Sequence, residues 1–247
     1  MDRERFYAIL QKKQEFDYEK YINTEQLLNT QKPYHELCNK DELQFQIVHQ
    51  VEELWLKLII YTLLDINEYM EQENTNRVIT LFKRVHITQR LMIEQLSLLE
   101  TMSPKEYQAI REQLGNGSGQ ESPGFRALTL APQHLWKTFK TVYLDRKELS
   151  IEKIYSTEYD HSDAYMVAEC LAEFDELFQK FSYHHMQLIY RSIGFDSKSL
   201  KGRSVELLSN RTRQKLFQEI WDVRTQMTDE WGFEYGMVRK SLPNNEK

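Results

Sequence analysis

Residues 45–64 read FQIVHQVEELWLKLIIYTLL, and their spacing decides the fold. Apolar side chains recur three and four apart, at Phe45, Val48, Val51, Leu54, Trp55, Leu58, Ile59 and Leu63. That is the period of a helix, whose 3.6 residues per turn bring such positions onto one face; a half-buried strand would alternate every second residue. Residues 76–100 repeat the pattern through Val78, Leu81, Phe82, Val85, Leu91, Ile93, Leu96 and Leu99, with Asn74, Thr75 and Asn76 ahead of them as N-cap candidates. Residues 162–193 and 210–228 read as two more long amphipathic helices. The first starts near Ser162 or Asp163, and Asn210 or Thr212 is placed to cap the second. Helix breakers agree with the period. The first 103 residues hold one proline, Pro33, and no glycine, and residues 133–193 hold neither.

Two polar segments interrupt the helical text. LGNGSGQESPG, residues 114–124, carries four of the eight glycines, and IGFDSKSLKGRS, residues 193–204, follows the third long helix. Both read as surface loops, and loops held on rigid helices are where binding residues concentrate. No repeat or linker divides the chain, so the expectation is one all-α domain over residues 1–247, a bundle of long helices. The net charge of -6, without a basic stripe, excludes a nucleic-acid partner. No apolar run is long enough to span a bilayer, so no membrane partner is expected. The opening MDRERFYAILQKK lacks the apolar stretch of a signal peptide, and Cys38 and Cys170 stand in no ligand-like spacing. Together these point to a reducing, cytoplasmic location.

Chemistry-bearing residues are few. His49 and His185 each lie on an apolar helical stretch. One such imidazole suits the axial position of a flat metal macrocycle, and a second, over the opposite face, suits a bound gas or substrate. The plainer reading of each is a hydrogen-bonded core histidine. His184 lies about 100° around the helix from His185, so only one of the two faces a given plane. Tyr107 and Arg111 share a helix face, and a guanidinium beside a phenol suits an amino-acid carboxylate; the plainer reading pairs Arg111 with Glu106 or Glu112. Asp160, His161 and Asp163 in YDHSD admit a metal reading, although Asp and Ser there also serve as helix-start chemistry.

Four segments resemble the heme-dependent tryptophan 2,3-dioxygenases. KDELQFQIVHQVEELWLKLII (residues 40–60) is similar to the family's distal-side helix, and LETMSPKEYQAIREQLGNGSGQESPGFR (99–126) to its Leu-x-Pro segment and Ser-Gly-x-Gln-Ser loop. HMQLIYRSIG (185–194) resembles the proximal His-x-x-x-x-x-Arg-x-x-Gly, and YEKYINTEQLLNTQ (18–31) the tyrosine-bearing entry. The resemblance implies a helical bundle enclosing heme b (iron protoporphyrin IX), with His185 the axial ligand of the iron and His49 the distal, catalytic residue. Phe45, Tyr107, Arg111 and Ser199 would hold substrate, and Tyr18 and Tyr21 would close the pocket from a neighbouring subunit.

The implied substrates are a small amino acid, L-tryptophan or a close analogue, and O2. The implied reaction adds O2 across the indole C2–C3 bond to give N-formylkynurenine, in a homo-oligomer, dimer or tetramer. Two departures stand out. The family's Gly-Thr-Gly-Gly-Ser-Ser-Gly loop is here SKSLKGRS, residues 197–204, with Ser199 at the threonine's place, and the chain is shorter between Arg126 and His185. The altered loop keeps open a heme-dependent aromatic monooxygenase acting on tyrosine or a modified tryptophan. A non-catalytic heme sensor is the alternative from another class.

Overall fold

The computed structural model describes residues 2–11, 13–115, 117, 119–198, 214–231 and 241. Every regular element among these residues is helical, in agreement with the all-α expectation. Three short N-terminal helices, α1 (Arg3–Leu10), α2 (Asp17–Ile22) and α3 (Thr24–Leu27), bury no residue. The long helices α4 (Glu42–Glu71) and α5 (Thr75–Leu99) follow, then α6 (Pro104–Gln113), α7 (Pro123–Phe139) and the short α8 (Ile151–Tyr155). The long α9 (Asp163–Ile193) and α10 (Gln218–Trp231) come last among the described residues.

Local chemistry sets the helix ends. Of the three cap candidates before α5, Asn74 accepts from the Arg77 N–H at 3.3 Å through its side chain. Ser103 caps α6 with Pro104 in its first turn, and Ser122 caps α7 by accepting from Phe125 N at 3.0 Å. Ser162 does the same for α9 through Tyr165 N at 3.3 Å. Helix α9 stops at Gly194, whose φ of 83° lies in the left-handed region that a side chain disfavours. Its N–H closes the last turn on Tyr190 O at 2.9 Å.

The structure departs from the periodic reading in three places. Within α4 the buried row runs Val48, Glu52, Leu56, Ile59 and Leu63, while Leu54 and Leu58 face solvent. The glycine- and proline-free stretch 133–193 is broken between α7 and α9, where Glu148 and Tyr159 turn the chain at φ 53° and 59°. Non-glycine residues reach the left-handed region at a modest cost, so the absence of breakers does not guarantee a helix. Residues 214–217 are not helical and α10 starts at Gln218, while the cap candidates Asn210 and Thr212 lie outside the described residues. Asp175 accepts from the backbone N–H groups of Leu216 and Phe217 at 2.9 and 3.1 Å, which holds the approach to α10 out of helical register.

The chain divides into two compact units. The first comprises Met1–Lys57, Leu91–Phe125 and Phe181–Thr212, and its core holds Val48, Leu56, Leu96, Ile110, Phe181 and Met186. The second comprises Leu58–Arg90, Arg126–Lys180 and Arg213–Lys247. Its core is built on Phe82, Phe139, Tyr143, Phe174 and Phe217. Every candidate substrate, distal or axial residue that the structure describes lies in the first unit. Among the described residues, no helix is long and apolar enough to cross a membrane.

Candidate functional site

Helix α4 sets Phe45, His49 and Glu53 four residues apart, hence in one row. The His49 ring lies 4.1 Å from the Phe45 ring between centroids, and its Nδ1 is 2.7 Å from the Phe45 carbonyl oxygen. A carbonyl only accepts, so Nδ1 carries the hydrogen, and in the neutral ring Nε2 is left as a free acceptor. Burial holds the His49 pKa below its ordinary value and favours that neutral form. The Phe45 carbonyl and the charge of Glu53 oppose the shift.

Helix α9 presents its two adjacent histidines differently. His184 Nε2 bonds Glu100 Oε1 at 2.7 Å, and Arg191 reaches the other Glu100 oxygen at 3.7 Å. His185 lies parallel to Phe181, with 6.2 Å between ring centroids, and Phe181 in turn packs on Phe125 at 5.4 Å. His185 is open to water, yet protein surrounds it densely enough to lower its imidazole pKa; positive charge on His49 and His184 acts in the same direction. Desolvation of this kind favours the neutral imidazole. Among the described residues neither ring nitrogen of His185 has a hydrogen-bond partner.

Helix α6 contributes Tyr107 and Arg111. The Tyr107 ring is 6.3 Å from that of Phe45, and burial pushes its phenol pKa up while the nearby Arg111 charge pulls it down. Arg111 Nη2 donates to the Lys198 carbonyl at 2.6 Å. Among the described residues it makes no ion pair with Glu106 or Glu112. Phe45 is thus in ring contact with both His49 and Tyr107, Arg111 acts on Tyr107, and His185 feels His49. Tyr18 and Tyr21, on α2, are 72% and 90% exposed.

Ser199 lies outside the described residues; of the 197–204 loop only Ser197 and Lys198 are described, and Ser197 Oγ donates to Ile193 O. In YDHSD, Asp163 accepts from Thr75 Oγ1 at 2.9 Å and His161 stacks on Tyr165 at 4.6 Å. No group of three or more His, Cys, Asp or Glu side chains that could hold a metal ion occurs among the described residues.

Five residues escaped the sequence reading: Glu53, Glu100, Gly124, Phe125 and Phe181. Glu53 Oε2 accepts from Gly124 N at 3.1 Å. A Cβ on Gly124 would meet Leu56 Cβ at 2.6 Å, so this glycine is what lets the start of α7 close onto α4. The four-residue steps Phe45–His49–Glu53 and Phe181–His185 are the signal that could have found two of the five.

The profile of the family described as tryptophan 2,3-dioxygenase matches residues 8–131, half of the chain. The tryptophan 2,3-dioxygenase of Myxococcus xanthus is 29% identical, over 85% of this chain and 89% of its own length. That of Serratia proteamaculans is 28% identical, over 85% and 92%, and that of Saccharopolyspora erythraea 27%, over 87% and 94%. The profile covers Phe45, His49, Tyr107 and Arg111, and the relatives extend the likeness over most of the chain. The chain belongs to the tryptophan 2,3-dioxygenase family, a family of oxidoreductases.

Proposed function

We propose that this chain binds heme b through His185 and adds O2 across the indole C2–C3 bond of L-tryptophan, or a close analogue, to give N-formylkynurenine. One observation carries the reading. An imidazole held neutral by its surroundings, without a hydrogen-bond partner among the described residues, stands on an aromatic wall of Phe181 and Phe125, within electrostatic reach of a second imidazole whose pKa burial also lowers. His185 would hold a heme iron through a neutral imidazole nitrogen, and the aromatic wall would suit a flat apolar macrocycle. When bound, heme supplies the iron that activates dioxygen.

The chain's own residues bind and orient. His49, with its hydrogen fixed on Nδ1 by the Phe45 carbonyl, offers Nε2 to an indole N–H, and the Phe45 ring offers a flat wall beside it. Arg111 offers a planar fork to the amino-acid carboxylate, with Tyr107 alongside. Ser199 is assigned the ammonium end. Positioning of this kind is a large share of what a protein adds to cofactor chemistry. A second copy of the chain supplies the cover for the N-terminal segment. Residues of α1 to α3 bury nothing, and Phe6, Ile9, Leu10, Phe16, Tyr18 and Tyr21 are exposed. The cytoplasm is the expected compartment.

Hemin titration tests the cofactor assignment: the unaltered chain takes up hemin with a Soret band, and His185→Ala loses or strongly alters it. An unchanged spectrum in His185→Ala together with its loss in His184→Ala would move the ligand by one residue. The departure of residues 197–204 from the family loop favours one second reading, a monooxygenase acting on tyrosine or a modified tryptophan. Product mass after exposure to labelled O2 separates the two, by a gain of two oxygens or of one.

A further inference from the structure

Glu53 stands between the two histidine-bearing walls. On α4 it lies one turn beyond His49, in the row that begins at Phe45. Its Oε2 accepts from Gly124 N at 3.1 Å, in the first turn of α7, where backbone N–H groups have no partner within the helix and the helix dipole is positive. The next residue, Phe125, is capped by Ser122 and packs its ring on Phe181 at 5.4 Å; Phe181 lies parallel to His185. Gly124 has no room for a side chain, with Leu56 on one side and the Glu53 carboxylate 2.8 Å from where a Cβ would sit. A continuous path of packed groups therefore runs from the helix of His49 through Glu53, Gly124, Phe125 and Phe181 to His185.

We propose that Glu53 is a positioning residue for the heme site, its carboxylate joining the His49 helix to the Phe125–Phe181 wall that backs His185. This rests on the reading of His185 as the axial ligand. Phe125 packs on Phe181 and Phe181 lies parallel to His185, so the action of Glu53 is through Phe181. A part-buried N–H···carboxylate bond at the N-terminus of a helix is directional, and it fixes where α7 begins relative to α4. With the bond gone, the Gly124 N–H seeks water, Phe125 loses its fixed approach to Phe181, and the ring behind His185 gains freedom.

Two variants separate bond from charge. Glu53→Gln keeps an oxygen that accepts from Gly124 N; Glu53→Ala removes it. Amide exchange in the full chain without added hemin reads the tie itself: exchange at Gly124 and Phe125 rises at least tenfold in Glu53→Ala and stays within threefold of the unaltered chain in Glu53→Gln. Hemin titration of the same proteins reads its action on the site. Glu53→Ala binds roughly tenfold more weakly with an altered Soret band, and Glu53→Gln binds within twofold.

Unchanged exchange in Glu53→Ala overturns the tie. Faster exchange with an unchanged hemin affinity and spectrum leaves the bond merely structural and overturns the positioning role. Failure of the unaltered chain to take up hemin, or an unaltered spectrum in His185→Ala, instead sinks the cofactor assignment and the positioning role with it, while the exchange measurement still reports on the Glu53–Gly124 bond.

Discussion

Replacing Gly124 by alanine places a methyl group where the fold has no space. The added carbon would lie 2.6 Å from Leu56 Cβ, 2.8 Å from Leu56 Cδ1 and 2.8 Å from Glu53 Oε2. Carbon pairs are most favourable at about 3.5–4.0 Å, so the approach is too close by about 1 Å. Leu56 is fully buried and has no free direction in which to turn, so either it leaves its rotamer or the start of α7 backs away from α4. Overpacking of this kind costs about 1–3 kcal/mol. Alanine recovers up to about 1 kcal/mol through its better helix propensity, and less in a first turn.

The net expectation is a destabilisation of about 1–2 kcal/mol, small enough for the protein to fold and be measured. Denaturant unfolding gives the number, and Gly119→Ala is the control: nothing lies within 4 Å of its added carbon, so its midpoint stays near that of the unaltered chain. Gly124→Ala as stable as Gly119→Ala would refute the close seating of α7 on α4.

Three further outcomes are expected. Asp175, at 0% exposure, accepts from Leu216 N, Phe217 N, Trp221 Nε1 and Gln179 Nε2, so Asp175→Ala leaves four donors without their acceptor. It should lower stability by on the order of 3 kcal/mol or more and change Trp221 fluorescence, and a thermal midpoint within a degree of the unaltered chain would contradict this. Glu52 is buried and its carboxyl is pushed up to about 7 by desolvation and by Glu53. A carboxyl raised in the folded state binds more protons there than in the unfolded chain, so stability falls as pH rises from about 4.5 through about 7. Glu52→Gln should therefore leave stability at pH 4 nearly unchanged and raise it at pH 8 by on the order of 3 kcal/mol; equal effects at both pH values would show that burial does not shift this group. For the proposed substrate, Arg111→Leu should weaken tryptophan binding by about 2–5 kcal/mol without changing the hemin spectrum. Tryptamine, which lacks the carboxylate, should bind the unaltered chain poorly, and equal binding of tryptamine and tryptophan would remove Arg111 from the carboxylate.

Period and cap chemistry are local, and they made the helices legible. Of the apolar positions read in the second long helix, Val78, Leu81, Phe82, Val85, Leu96 and Leu99 are buried, whereas Leu91 is exposed. The exceptions are non-local. Leu54 and Leu58 carry the helical period but lie off the row that meets the core, and the charged Glu52 lies on it. No single-helix pattern distinguishes these cases, because what decides is the facing element. The same holds for the histidines. A rotation of about 100° separates His184 from His185, but the side chain that engages His184 is Glu100, 84 positions away in sequence. The His49–Phe45 contact was legible because both residues sit on one helix. The Glu53–Gly124 tie was not, because a glycine in a polar loop reads as a turn residue until the helix it must approach is known.

Arg111 is where the altered loop and the carboxylate reading meet. A guanidinium has five N–H donors in one plane, and the Lys198 carbonyl engages Nη2 at 2.6 Å. Nη2 carries two N–H groups and the carbonyl engages one of them, so the other, paired with Nε or with Nη1, remains for a carboxylate fork, and the loop contact and the substrate contact can share the same side chain. Lys198 belongs to the segment that departs from the family pattern, and its contact with Arg111 is made through the backbone. Backbone carbonyls are common to every residue type, so the change of side chains in this segment leaves the anchor on Arg111 chemically available. The departure therefore bears first on what the new side chains add around the ligand, which is substrate choice, and less on whether a carboxylate can be held. That ordering is why product mass and substrate range, rather than carboxylate dependence, separate a dioxygenase from a monooxygenase here.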